Sequence, residues 1–86
     1  MPEISRFFGI IIAMYYNDHE PPHFHARYGS ERAILTIDTF TVLQGHLSPR
    51  VLGLVTEWAA RHREELFDNW RLARQLSPLN KIQPLE

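Results

Sequence analysis

Three histidines, His19, His23 and His25, fall within seven residues, amid the carboxylates Asp18 and Glu20. A neutral imidazole can serve near pH ~7 both as a metal ligand and as a general acid or base. His23 and His25 are two residues apart in an alternating stretch, so on a strand they project from the same face. That geometry suits two ligands of one metal, or an acid/base pair acting on a nucleic acid or another substrate. His19 can reach the same point from the preceding turn. A zinc-like site needs about three or four donors, and His19, His23 and His25 with Asp18 or Glu20 could supply them. The spacing matches no established zinc signature. A third reading makes His19 and His23 structural, bonded to the backbone of a turn stiffened by Pro21 and Pro22.

Arg27 follows on the same face. It could bind phosphate or steady an anionic transition state beside two histidines, or be a solvated strand residue paired with Asp38 or Glu31. His62 lies on an apolar helical stripe between Trp58 and Leu66. Buried there it needs a partner, a backbone carbonyl or a carboxylate, and reads as a satisfied core histidine outside the site. No nucleophile elbow, phosphate-cradling glycine loop or dinucleotide fingerprint occurs, which argues against the usual ATP- and NAD-dependent enzymes.

The elements that must position these residues are legible from pattern. Ile10–Tyr16 is rich in β-branched and aromatic residues and reads as a strand, with Ile4–Phe8 an extended lead-in and Gly9 a bend. Asn17–Pro22 is a connection. His23–Tyr28 alternates strictly: Phe24, Ala26 and Tyr28 point one way, toward a covering helix, and His23, His25 and Arg27 the other. Gly29-Ser30 marks a turn, Arg32–Asp38 alternates again, and Thr41–Gln44 is a short last strand. Links this short make the sheet antiparallel. Ser48 and Pro49 read as N-cap and first residue of one long helix running to about Leu76. Its apolar face includes Val51, Leu54, Val55, Trp58, His62, Leu66, Trp70 and Ala73. Such a rod is ~40 Å long and overhangs a strand of ~20 Å. Phe67 falls off the apolar face and is expected exposed. The overhang, with Trp70, is expected either to form a homo-oligomer or partner interface through the C-terminal half of the helix, or to be covered by the tail through Ile82 and Leu85. The fold class is therefore α+β, a three- to four-stranded antiparallel sheet packed in two layers against one long C-terminal helix. Residues 1–78 form a single domain and 79–86 a tail.

Composition narrows the function. With 86 residues the chain makes one domain, and 44% hydrophobic content is enough to offset chain entropy. Nine Lys+Arg against ten Asp+Glu leave a net charge of -1, so no global field draws nucleic acid or anionic membrane. Eight of the nine cations are arginine, which favours bidentate contacts with phosphate or carboxylate in any local patch. The lack of cysteine excludes disulfides and thiolate metal sites, and favours the cytoplasm. The start, Met-Pro-Glu-Ile-Ser-Arg, lacks the marks of a signal peptide. The longest apolar run, Phe7–Tyr16, is too short to span a membrane.

Ile4-Ser-Arg-Phe-Phe-Gly-Ile10, Met14-Tyr-Tyr-Asn-Asp-His19 and Pro21-Pro-His-Phe-His-Ala-Arg-Tyr-Gly29 resemble a small bacterial family known as domain of unknown function 4160. The likeness continues in Trp58, His62-Arg-Glu-Glu-Leu66, Trp70 and Ile82-Gln-Pro-Leu-Glu86, and so covers nearly the whole chain. The family has no settled activity. Its members are often encoded beside another small uncharacterised protein, domain of unknown function 2442, in an arrangement like toxin–antitoxin pairs. The resemblance thus implies a small cognate protein partner.

Two functional readings follow. In the first the protein is a toxin–antitoxin-like component that binds its cognate protein and RNA. As the toxin it would be a metal-independent ribonuclease, with His23 and His25 as base and acid and Arg27 on the phosphorane. In the second it is a non-enzymatic interaction module whose histidines are structural or hold a divalent metal. Clustering of Arg6, Arg27 and Arg32 around His23 and His25 would favour the first. An apolar patch at Phe67 and Trp70 would favour the second.

Overall fold

The structure is a computed structural model that describes residues 2–86. Five strands precede two helices: β1 (Glu3–Phe7), β2 (Ile10–Ala13), β3 (His23–Tyr28), β4 (Glu31–Thr36), β5 (Val42–His46), α1 (Pro49–Arg61) and α2 (Arg63–Arg74). The strands form one sheet in the order β1-β2-β3-β4-β5, every neighbouring pair antiparallel. This is the outcome short connections impose, since each strand must fold back beside its predecessor.

Side-chain alternation gives the sheet two unlike faces. Ile10, Ile12, Phe24, Ala26, Ala33 and Leu35 face the helices and are buried. Val51, Val55, Trp58 and Ala59 of α1 and Leu66, Trp70 and Ala73 of α2 complete this core. Trp58 is its centre, with the Phe7 ring 5.4 Å and the Phe24 ring 6.2 Å away. The α+β class and the two-layer packing are as expected, and so is Pro49 at the start of α1. Ser48 makes no side-chain cap; its N–H instead donates to Glu31 Oε1 at 2.9 Å, tying the helix start to β4.

Three expectations need correction. The sheet has five strands, because Glu3–Phe7 pairs with β2 as β1 rather than leading into it. Phe8 and Gly9 both have positive φ, as a two-residue type I′ hairpin turn requires. The single long helix is two helices: His62 leaves helical geometry at φ -125 and ψ 25. The second helix therefore leaves the axis of the first, and the longest dimension of the molecule, 33 Å, is less than the ~40 Å of an unbroken rod. Phe67 is half-buried and packs on the core rather than standing exposed.

Residues 79–86 run back across the domain. The Ile82 N–H donates to Ile4 O at 2.8 Å, Asn80 exchanges two hydrogen bonds with the Asn69 side chain, and Trp58 Nε1–H donates to Gln83 O at 2.8 Å. Ile82 and Leu85 join the core. Trp70 is only 5% exposed, its ring lying against that of His23. No helix of the described residues is long and apolar enough to cross a membrane.

Candidate metal centre on the open face of the sheet

The face of the sheet turned away from the helices carries the chemistry. Register places Ala13, His25, Ile34 and Gln44 side by side, and beside them the row Arg6, Ile11, Arg27, Arg32 and His46. His25 and Arg27 thus share a face, as strand alternation demands. His23, at the first residue of β3, sits where the sheet meets the end of α2, and its ring packs 5.0 Å from that of Trp70.

The Asn17–Pro22 connection brings a carboxylate to both histidines. Asp18 Oδ1 accepts the N–H of the next residue, His19, at 2.9 Å. This leaves Oδ2 facing the strand, 2.9 Å from His23 Nε2 and 3.6 Å from His25 Nε2. The other nitrogen of His23, Nδ1, lies 2.7 Å from Pro21 O. A carbonyl oxygen only accepts, so Nδ1 carries the hydrogen. In the neutral ring Nε2 is then a bare lone pair pointed at a carboxylate oxygen. Two acceptors at that distance need a proton or a cation between them. His25 Nε2 is buried and has no hydrogen-bond partner, since 3.6 Å is too long for one.

One ligand atom from each of Asp18, His23 and His25 lies within 4.8 Å of the others. A transition metal holding imidazole nitrogen and carboxylate oxygen at ~2.0–2.2 Å needs donors gathered this closely. The His23 Nδ1–H to carbonyl bond is the outer-shell contact that orients metal-bound histidines. Three protein donors leave a further coordination position free.

Burial alone would raise the Asp18 carboxyl, but bonds from the His19 N–H and from His23, with the nearby histidine charge, outweigh it and hold Asp18 below the usual carboxylate range. Burial, then repulsion from His23, lowers His25 below the usual imidazole value, with attraction to Asp18 only partly offsetting them.

The predicted site residues are only partly brought together. His23 and His25 converge; His19 does not, its side chain being 96% exposed and its Nε2 3.9 Å from the opposite oxygen of Asp18. The carboxylate at the cluster is Asp18, while Glu20 turns away to pair with Arg74 at 2.6 Å. Arg27 takes neither partner considered for it: Glu31 accepts the Ser48 N–H and Asp38 the Thr39 N–H. His62 is half-buried in the helix break, 2.5 Å from Glu65 Oε1, away from the site and satisfied by a carboxylate. Two residues were missed. Tyr15 meets the His25 ring edge-on at 4.5 Å, and its parity with Ile11 and Ala13 was the available signal. His46 closes the arginine row from β5, a strand expected to end at Gln44.

No curated protein and no solved structure matches the chain. Residues 9–71, well over half of it and including every residue of the Asp18, His23 and His25 cluster, match the family model described as Domain of unknown function (DUF4160). By that match the chain belongs to the DUF4160 family.

Proposed function

We propose that the protein binds one divalent transition-metal ion through Asp18 Oδ2, His23 Nε2 and His25 Nε2, and uses the remaining coordination position for hydrolysis of a phosphate ester. One observation carries this reading: the three donors converge, and the buried Nε2 of His25 points into the cluster with no partner. Two imidazoles and one carboxylate suit zinc, cobalt, nickel or ferrous iron rather than the all-oxygen preference of calcium and magnesium. A metal there would lower the pKa of bound water toward ~7 and supply a nucleophile. Arg27, two residues from His25 on the same face, would offset charge on the phosphoryl oxygens.

A metal-independent ribonuclease with His23 as base fits less well. His23 is 6% exposed and both its nitrogens are engaged, so it cannot reach a substrate hydroxyl. In the toxin–antitoxin-like setting that the family resemblance implies, hydrolysis would be the toxin's activity and the small neighbouring protein its control. The outer edge of β5, whose residues are all exposed, is a surface such a partner could use. A purely structural metal pin is the second reading, favoured by the burial of His23 against Trp70.

Titration of chelator-treated protein with zinc, followed by calorimetry, tests the site. One equivalent should bind. His25→Ala and Asp18→Ala should each weaken binding by at least about a hundredfold, more than loss of an outer-shell contact costs, and His19→Ala should change little. Absence of binding would end the proposal. Stoichiometric binding without zinc-dependent cleavage of an activated phosphodiester would leave the structural pin as the better account.

A further inference from the structure

We propose that the open face of the sheet binds a single-stranded polynucleotide, its phosphates lying along the Arg6, Arg27, Arg32 row and one phosphodiester reaching the Asp18, His23, His25 cluster. The cleavage part rests on the metal reading above; the binding part does not.

The first observation is an unbalanced pair. Arg27 and Arg32 are direct cross-strand partners. Like charges placed so are destabilising, and among the described residues neither has a carboxylate within salt-bridge distance. Arg6 and His46 extend the same row on either side. Of these only Arg6 is neutralised, by Glu3 at 2.8 Å. The cost of juxtaposing cations is recovered when an anion lies between them, and arginine forks match phosphate oxygens in pairs.

The second observation is shape. Arg27 and Arg32 stand over a hollow of about 270 Å³, floored by Ile11, Ala13 and Ile34 and bordered by Tyr15 and Gln44. The row crosses all five strands, ~19 Å at the usual strand spacing. That length exceeds one phosphate group and fits consecutive phosphates of a strand. The apolar floor suits the face of a base. Tyr15, 37% exposed and edge-on to His25, offers a stacking surface next to the cluster. Exposed sheet faces with an aromatic platform are a recurring way to hold unpaired bases. A net charge of -1 provides no long-range attraction, so recognition depends on this face alone and is modest in affinity.

The test is fluorescence anisotropy with labelled RNA and DNA strands of about twelve nucleotides, within the ~4–16-nucleotide footprint of single-strand grooves, in chelator so that no strand is cut. Saturable binding of either strand supports the proposal, and the ratio of the two shows whether the 2′-hydroxyl is read. The logarithmic salt slope should be about -1.4, from the two unpaired arginines at ~0.7 each. An R27Q/R32Q double variant should lose about tenfold or more, with unchanged circular dichroism and unchanged zinc stoichiometry, while R61Q on α1 should bind like the native chain. No binding of either strand, binding unaffected by R27Q/R32Q, or a preference for duplex would overturn it. Strand binding without zinc binding would retain this inference and remove the metal reading; zinc binding without strand binding would do the reverse.

Discussion

The imidazole of His23 rests on the indole of Trp70, ring centroids 5.0 Å apart at 54°. One residue of the candidate metal centre is thereby backed by a core residue of α2, which with the Pro21 carbonyl sets where its Nε2 points. The Asn17 N–H, which donates to Ala73 O at 3.1 Å, ties the Asp18 turn to the same helix. Two of the three donors are thus positioned by tertiary contacts made before any ligand arrives.

Trp70→Leu should therefore weaken zinc binding by about tenfold without touching a ligand, the usual scale for loosening a metal site's supporting shell. Calorimetry at a temperature where circular dichroism shows the variant folded checks this. Affinity equal to the native protein's would mean that the Asp18 turn alone orients His23.

The tail is held by Asn69, which is fully buried and bonds Asn80 through both its amide nitrogen and its oxygen, each at 2.9 Å. Asn69→Ala leaves the Asn80 N–H and C=O without those partners and should cost roughly 2–4 kcal/mol. Urea denaturation measures it. A loss under ~0.5 kcal/mol, the scale of ordinary surface changes, would show that Ile82 and Leu85 hold the tail unaided.

Gly45 has φ +86, and a Cβ there would overlap the Arg32 carbonyl oxygen on the neighbouring strand. Gly45→Ala should cost roughly 2 kcal/mol or more and shift β5 against β4. Strand binding should fall with it, because Gln44 and His46 move while the metal ligands do not. Native melting temperature and native anisotropy would contradict this.

Asp38 closes the β4–β5 turn. The Thr36 hydroxyl first, then the Thr39 N–H, hold its carboxyl below the usual range. A carboxyl depressed in the folded state adds stability that is fully present above its unfolded pKa of ~3.9 and is lost as pH falls through the folded value. The melting-temperature gap between native protein and Asp38→Asn should be constant above pH ~5 and narrow as pH falls below the unfolded carboxyl's ~3.9. A gap that does not change with pH would assign the effect to turn geometry instead of charge.

Much of this architecture is legible locally. The period-two alternation of His23–Tyr28 and Arg32–Asp38 gives two strands and assigns His25 and Arg27 to the face opposite Phe24, because covalent geometry alone sends successive side chains to opposite sides. Pro49 marks the start of α1 for an equally local reason: its missing N–H is no loss there. The break at His62 is not legible. No proline or glycine marks it; a short rod-like pattern and a bent one have the same periodicity, and the bend follows from what α2 gains by burying Leu66, Asn69 and Trp70. Nor could spacing choose Asp18 over His19 as the third donor. Both lie in a turn free to point either way until Asn17 bonds Ala73 and Trp70 backs His23. Strand faces follow from bonds between adjacent residues, whereas the completed site depends on contacts about fifty residues apart, which a pattern read along the chain does not contain.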